Sequence, residues 1–427
     1  MALRDESKRT MRVAVVGCAH GELDKIFATV RHVEASEGLK IDLLLCCGDF
    51  QAVRNELDLQ SLACPPKYRS MNSFWKYYAG IETAPCTTVF IGGNHEASNY
   101  LWELYYGGWV APNIYYLGAA GVIWFGGLRI GGLSGIYKQH DYHRGHFERP
   151  PYNLNELRSV FHVREYDVHK LLQIKEPIDI FMSHDWPQGI AQCGDLQGLL
   201  RYKPFLQQEI ADNVLGSVPA RNVLLNLKPS YWFSAHLHAK FAAIVKHGDE
   251  KTTKFLALDK CLPGRPFLQV FDFPTADGTL EVTYDKEWLG ITRAYHSCFP
   301  LERVVRTRAC SDIKIHRDWV ENLSLTKSLI PSSFQQTAPI YDPHRKLTGP
   351  TGVLSTGHAQ NPQTEYFLDL LQLPYLLDAT PGRAQAGPVV DFNEIRLEDE
   401  EEHEKGCTVA DPNEIVLAND DTDATLR

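Results

Sequence analysis

The chain has 427 residues with 44% hydrophobic and 11% aromatic content, enough to bury a sizeable core. Its formal charge of −10 is local: from Asp391 onward there are 13 acidic and 3 basic residues, while residues 1–390 carry 40 of each sign. A neutral body with an acidic tail does not exclude a nucleic-acid substrate, whereas the lack of any run of about 18 apolar residues argues against a membrane-spanning helix.

The first residues, MALRDESKRTMRVAVVG, are charged and then enter an apolar run too short for a signal peptide. A reducing compartment is therefore expected. The 10 cysteines are scattered without a CxxC and read as mostly free thiols. Residues 12–16 (RVAVV) form a strand ending in Gly17, followed by a helix from about Glu22 to Glu37. Residues 41–47 read as a buried strand ending in Gly48-Asp49, residues 71–80 as a helix, and residues 87–91 as a strand ending in Gly92-Gly93-Asn94-His95. This alternation is an α/β pattern, in which sites form beyond the carboxyl ends of strands. Residues 114–134 suit hairpin strands, with Gly126-Gly127 as a turn. Residues 136–162 are rich in His, Arg and Tyr. Two more strands, 178–182 and 231–235, end in Ser183-His184-Asp185 and His236-Leu237-His238. Residues 255–258 and 267–273 add strands, and 287–330 reads as more helical. The apolar residues of 362–378 predict a helix docked on the catalytic domain. Beyond it, Pro, Gly, Ala and acidic residues predict disorder.

Five predicted strands thus end in ligand-type residues: Cys18 with His20, Asp49, Asn94 with His95, His184, and His236 with His238. Taken singly these are weak signals. A histidine after a strand is commonly just hydrogen-bonded, Cys18 reads as a small buried thiol, and Asp49 and Asn94 are ordinary turn formers or caps. Taken together, at one end of a single inferred sheet, they fit a binuclear centre. Asp49 would bridge. Cys18, His20 and His238 would complete one pocket; Asn94, His184 and His236 would complete the other. Two cations about 3.5–4 Å apart bind a phosphate diester and generate hydroxide at neutral pH. Sulfur and nitrogen donors favour Zn(II), Fe(II) or Mn(II) over Ca or Mg. His95, next to Asn94, is placed to act as a general acid without ligating.

The order GxH, GD, GNHE, SHDWP, AHLH resembles the calcineurin-like metallophosphoesterase superfamily. Its usual first motif is Asp-x-His, and here Cys18 replaces the Asp. That cysteine, with Ser183–Pro187 (SHDWP) and Ala257–Pro263 (ALDKCLP), is similar to the RNA lariat debranching enzymes over about residues 11–378. The resemblance implies an α/β fold, a metallophosphoesterase β-sandwich flanked by helices. It implies a catalytic domain over 11–275, a smaller C-terminal domain over 276–378 and a disordered acidic tail over 379–427. It also implies hydrolysis of the 2′–5′ phosphodiester at the branchpoint of intron lariat RNA, with two divalent transition metals and His95 protonating the departing 2′ oxygen. The nucleus, a monomer and RNA-processing partners such as spliceosomal proteins follow as expectations.

The family's inserted loop, near 133–162 here, recognises the lariat. Lys138, Arg144, Arg149 and Arg158 would meet phosphates, Tyr137 and Tyr142 would stack on unpaired bases, and His140 would donate to phosphates. The alternative is a solvated loop whose Arg and His pair with Asp141 and Glu148. Arg303, Arg306 and Arg308 form a second basic cluster. Cys18, as a reachable thiolate, would make activity sensitive to oxidants. Two other functions compete: a general metallophosphoesterase on phosphoproteins, cyclic nucleotides or DNA ends, and a non-catalytic RNA-binding scaffold.

Overall fold

The computed structural model describes residues 10–248, 250–274, 279–305, 312–323, 330–331, 334–344 and 359–378. The expected acidic tail, Arg306 and Arg308 lie outside them. Thirteen strands run through the described residues: β1 (Thr10–Val16), β2 (Leu43–Cys46), β3 (Thr87–Phe90), β4 (Gly108–Ala111), β5 (Ile114–Tyr116), β6 (Ala120–Phe125), β7 (Leu128–Leu133), β8 (Ile180–Ser183), β9 (Tyr231–Ser234), β10 (Phe241–Lys246), β11 (Thr252–Ala257), β12 (Leu268–Pro274) and β13 (Thr283–Tyr284). They form a six-stranded sheet in the order β12-β1-β2-β3-β5-β4 and a seven-stranded sheet in the order β10-β11-β9-β8-β7-β6-β13.

The sheets stack face to face, and the strand period of two sorts the side chains. On β1, Val13 and Val15 face the inter-sheet core with Leu43, Leu45, Ile130, Ile180 and Met182. Ala14 and Val16 face outward against Ile26, Phe27 and Val30 of the helix Leu23–Glu37. That helix stops where Gly38 adopts φ 62°, a left-handed cap that glycine takes without a Cβ penalty. The outer face of the second sheet buries Phe181, Trp232 and Phe255 beneath Trp186, Val223 and Ile291. Strands covered on both faces explain the near-continuous apolar runs: every residue of β2 is buried.

One expectation is corrected. The five ligand-bearing turns do not belong to one sheet. β1, β2 and β3 are parallel neighbours in the first sheet, and β8 and β9 are parallel neighbours in the second. Their turns converge because the stacked sheets point these strands toward a common end.

The C-terminal helix Pro362–Leu370 docks as expected. Phe367 and Leu368, with Leu371 and Leu377, pack on Trp102, Tyr105 and Tyr106. The Gln363 amide brackets Trp109, accepting its N–H at 2.7 Å and donating to its carbonyl at 2.8 Å. Only its first part is helical, since Leu373–Asp378 continues without regular structure apart from a turn. Seven of the described cysteines are free, and Cys298 is disulfide-bonded. No helix of the described residues is long and apolar enough to cross a membrane.

Candidate metal centre

Three of the five ligand-bearing turns leave their strands abruptly. His20, Asp49, His236 and His238 all have positive φ, at 47°, 46°, 65° and 46°. Non-glycine residues avoid this region at a cost of roughly 1 kcal/mol or more, so four together mark a site where geometry overrides local preference. The glycines around them are obligatory on steric grounds. A Cβ on Gly48 would lie 2.2 Å from His184 Nδ1, and one on Gly93 would lie 2.2 Å from Asp49 Oδ1.

Asp49 is 1% exposed and presents a different oxygen to each half of the site. Its Oδ1 is 3.4 Å from His184 Nε2, and its Oδ2 is 3.8 Å from His20 Nε2. On the first side, the donor atoms of Cys18, His20, Asp49 and His238 all lie within 4.8 Å of one another, with His20 Nε2 and His238 Nε2 3.3 Å apart. On the second side, His184 donates from Nδ1 to the Cys47 carbonyl at 2.8 Å. That bond turns Nε2 toward Asn94 Oδ1 at 3.2 Å. The His236 ring lies 5.0 Å from the His184 ring. With Nδ1 protonated, His184 Nε2, Asn94 Oδ1 and Asp49 Oδ1 are three acceptors facing one another, a set that favours a positive charge among them.

Electrostatics agree. Burial, with neighbouring cations, brings His20, His236 and His238 down to about 4, 3 and 2, so all three are neutral at pH 7 and able to ligate. Burial acts against ionised Asp49, but His184, His95 and His20 outweigh it and hold the carboxyl well down. His184 is held up because Asp49 and the Cys47 carbonyl outweigh its burial. These donors fit divalent transition-metal ions, one on each side of Asp49.

Cys18 departs from expectation in one respect. It is 0% exposed, and burial, then Asp49, push its thiol well up. It is enclosed rather than reachable, so easy oxidation does not follow from its position. Its Sγ accepts the His236 N–H at 3.2 Å, tying the first sheet to the second. His95 is half-buried beside the ligands. Its N–H donates to Asp49 Oδ1 at 2.8 Å, and its ring lies 5.7 Å from that of His20.

Two residues beside the ligands, within GNHE and SHDWP, hold the turns in place. Glu96, 2% exposed, accepts the N–H groups of Phe50, Gln51 and Gly93 at 2.7, 2.8 and 2.9 Å, locking the Asp49 and Asn94 turns together. Its place in GNHE was the available signal. Asp185 accepts the Tyr137 N–H at 3.2 Å and so joins the His184 turn to the root of the 133–162 segment.

That segment is only partly laid out for RNA. Lys138, His140 and Arg158 are exposed, and Tyr137, Tyr142 and Arg144 are half-buried. Tyr137 and Tyr142 pack edge to face at 5.6 Å. Arg144 pairs with Asp141, which also takes His162 at 2.6 Å and His140 at 3.3 Å. Arg149 turns inward: it lies 4.7 Å over the Trp102 ring and donates to the carbonyls of His146 and Glu148. A phosphate-facing Arg149 is therefore not what the structure places. The competing reading of internal pairing holds for Arg144 with Asp141, while Glu148 pairs with Arg164 instead. Arg303 sits 5.3 Å over the Phe147 ring.

A two-sheet sandwich with these turns at one end defines the calcineurin-like phosphoesterases, and that family matches residues 11–240. The protein is accordingly a hydrolase acting on phosphodiester bonds. The C-terminal domain of lariat debranching enzymes matches residues 250–376. The chain is 53% identical to the lariat debranching enzyme of Arabidopsis thaliana, over 92% of this chain and 97% of that one. It is 50% identical to that of Danio rerio over 87% and 68% of the two chains, and 47% identical to that of Homo sapiens over 96% and 75%. The chain belongs to the lariat debranching enzyme family.

Proposed function

We propose that this protein hydrolyses the 2′–5′ phosphodiester at the branchpoint of excised intron lariat RNA, using two divalent transition metals drawn from Fe(II), Zn(II) and Mn(II). The observation that carries the metal requirement is the Asp49 carboxylate, with one oxygen toward His184 and the other toward His20. Family membership supplies the substrate class. Cys18, His20 and His238 would hold one ion with Asp49; Asn94, His184 and His236 would hold the other. Bound there, such ions polarise a phosphodiester and acidify water.

The chain's own residues do the rest. Glu96 and the strained turns keep the ligands preorganised, so little reorganisation accompanies the reaction. His184, fixed through Cys47, keeps its Nε2 facing inward. His95 stands beside the ligands, where its imidazole can give a proton to the departing 2′ oxygen. The exposed Lys138, His140 and Arg158, with Tyr137 and Tyr142, supply charge and ring faces for RNA. Because introns are excised there, the nucleus is the compartment this reading assigns.

One assay tests it: branched 2′–5′ RNA, linear 3′–5′ RNA and p-nitrophenyl phosphate, each with Mn(II) or Fe(II). Cleavage confined to the branched RNA supports the proposal. Cleavage of the simple ester at a similar rate makes this a general phosphoesterase, and tight RNA binding without turnover makes it a scaffold.

A further inference from the structure

Outside the centre and the 133–162 segment, one surface combines the chemistry that unpaired RNA requires. The helix Leu196–Tyr202 and the turn Pro204–Leu206 are anchored by buried Leu199 and Leu206 against the Trp186 cluster. With those side chains inside, Tyr202 and Phe205 are left outside, 44% and 57% exposed. Scattered exposed aromatics are ordinary on a protein surface. These two are not scattered. The Lys203 ammonium lies 5.3 Å from the Tyr202 ring and 5.7 Å from the Phe205 ring, and the Arg265 guanidinium lies 5.8 Å from Tyr202.

The patch is built into the metal centre's wall. The Tyr202 hydroxyl donates to Asp259 Oδ2 at 3.1 Å, and Arg265 donates to the same oxygen at 3.3 Å. The Asp259 carbonyl closes over Gly17, where a Cβ would come within 2.1 Å of it. Two residues on, the Cys261 N–H donates to the Cys18 carbonyl at 3.0 Å. The patch is thus rooted on the Cys18 side. The 133–162 segment is rooted on the other side, through Asp185 to Tyr137 and through Ser134 Oγ accepting the Gly92 N–H at 2.9 Å.

A branchpoint nucleotide has three strands leaving it, and they diverge. We propose that Tyr202, Lys203, Phe205 and Arg265 form a second single-strand platform, holding the RNA arm that leaves the scissile phosphate on the Cys18 side. The rings offer faces for stacking, and Lys203 neutralises an adjacent phosphate while Arg265, paired with Asp259, holds the Tyr202 ring in place. The Asp259 carboxylate is already shared by Tyr202 and Arg265, which limits its repulsion of RNA. This inference rests on the debranching reading and adds a second contact surface to it.

The test uses the full chain and two branched RNAs with the same branchpoint, one with arms of several nucleotides and one trimmed to a single nucleotide per arm. Wild-type protein should show a lower KM for the long-armed RNA. The double variant Lys203→Ala/Phe205→Ala should raise that KM by about tenfold, since base–aromatic stacking and one phosphate contact are lost, and should erase the preference for long arms. Phe205 is exposed and Lys203 half-buried at the junction of the two elements, away from the ligands, so metal content should match wild type and melting temperature should stay close to it. A double variant that keeps the wild-type preference overturns the platform alone. Wild-type protein that cleaves neither RNA overturns the debranching reading itself.

Discussion

Glu96 accepts the backbone N–H of Phe50 at 2.7 Å across 46 residues of sequence. Through it, two turns from neighbouring strands are held by one carboxylate, since the same oxygen also takes the Gly93 N–H and the other oxygen takes the Gln51 N–H. Burial and the nearby Asp49 push this group up to about 8, and cations in the adjoining pockets would bring it down again.

Replacement of Glu96 by Gln sets an amide N–H₂ against a backbone N–H. One buried donor then goes unpaired, costing about 1–3 kcal/mol. Metal affinity should fall by roughly tenfold to a hundredfold, as for other groups that orient ligands. Titration with Mn(II) measures it; wild-type affinity would show that the turns hold themselves.

His95→Ala should retain both metals, because only the backbone N–H of this residue reaches Asp49. Turnover of branched RNA should drop by about 10²–10⁴-fold, the usual contribution of a general acid. A near-normal kcat with full metal content would remove His95 from proton transfer.

Cys18→Asp replaces a soft donor by a hard one at a fully buried position. Competition between Zn(II) and Mn(II) should shift toward Mn(II) in the variant. In wild type, metal uptake should release a proton as the raised thiol ionises, and the release should be smaller in Cys18→Asp. Identical metal preference and proton release in the two proteins would mean that Cys18 only packs.

His296 gives a pH dependence away from the centre. It accepts from the Tyr106 hydroxyl at 3.1 Å and donates to the Pro374 carbonyl at 2.9 Å, joining the C-terminal segment to the catalytic domain. Burial brings it down to about 4 from 6.5. The unfolded chain therefore binds more protons between these values, and stability is complete above pH 6.5 and declines as pH falls toward 4. The loss should be on the order of 2 kcal/mol after allowing for partial solvent access. His296→Gln keeps the neutral bonding pattern and should lack this component when melting is followed from pH 7 to 4; parallel curves would contradict the assignment.

The chemistry was legible because it is local. Asp49 and Asn94 follow strands announced by apolar runs with terminal glycines, His184 and His236 follow apolar runs ending in Ser183 and Ala235, and these strands begin and end within a few residues of those expected. The motif order then led to the family. Three things were not legible. The pairing of strands into two sheets depends on residues far apart, such as Val13 opposite Leu43 and Ile180 opposite Tyr231, and no local pattern encodes partners at that distance. The inward turn of Arg149 depends on Trp102, nearly fifty residues earlier. Cys18's enclosure depends on the turn after β9 folding over it. The sequence by itself determined which atoms are available as ligands and which strand ends carry them. Only the tertiary structure decided that the ligands come from two sheets, because stacking those sheets on a shared apolar core is what brings turns from both to one carboxylate.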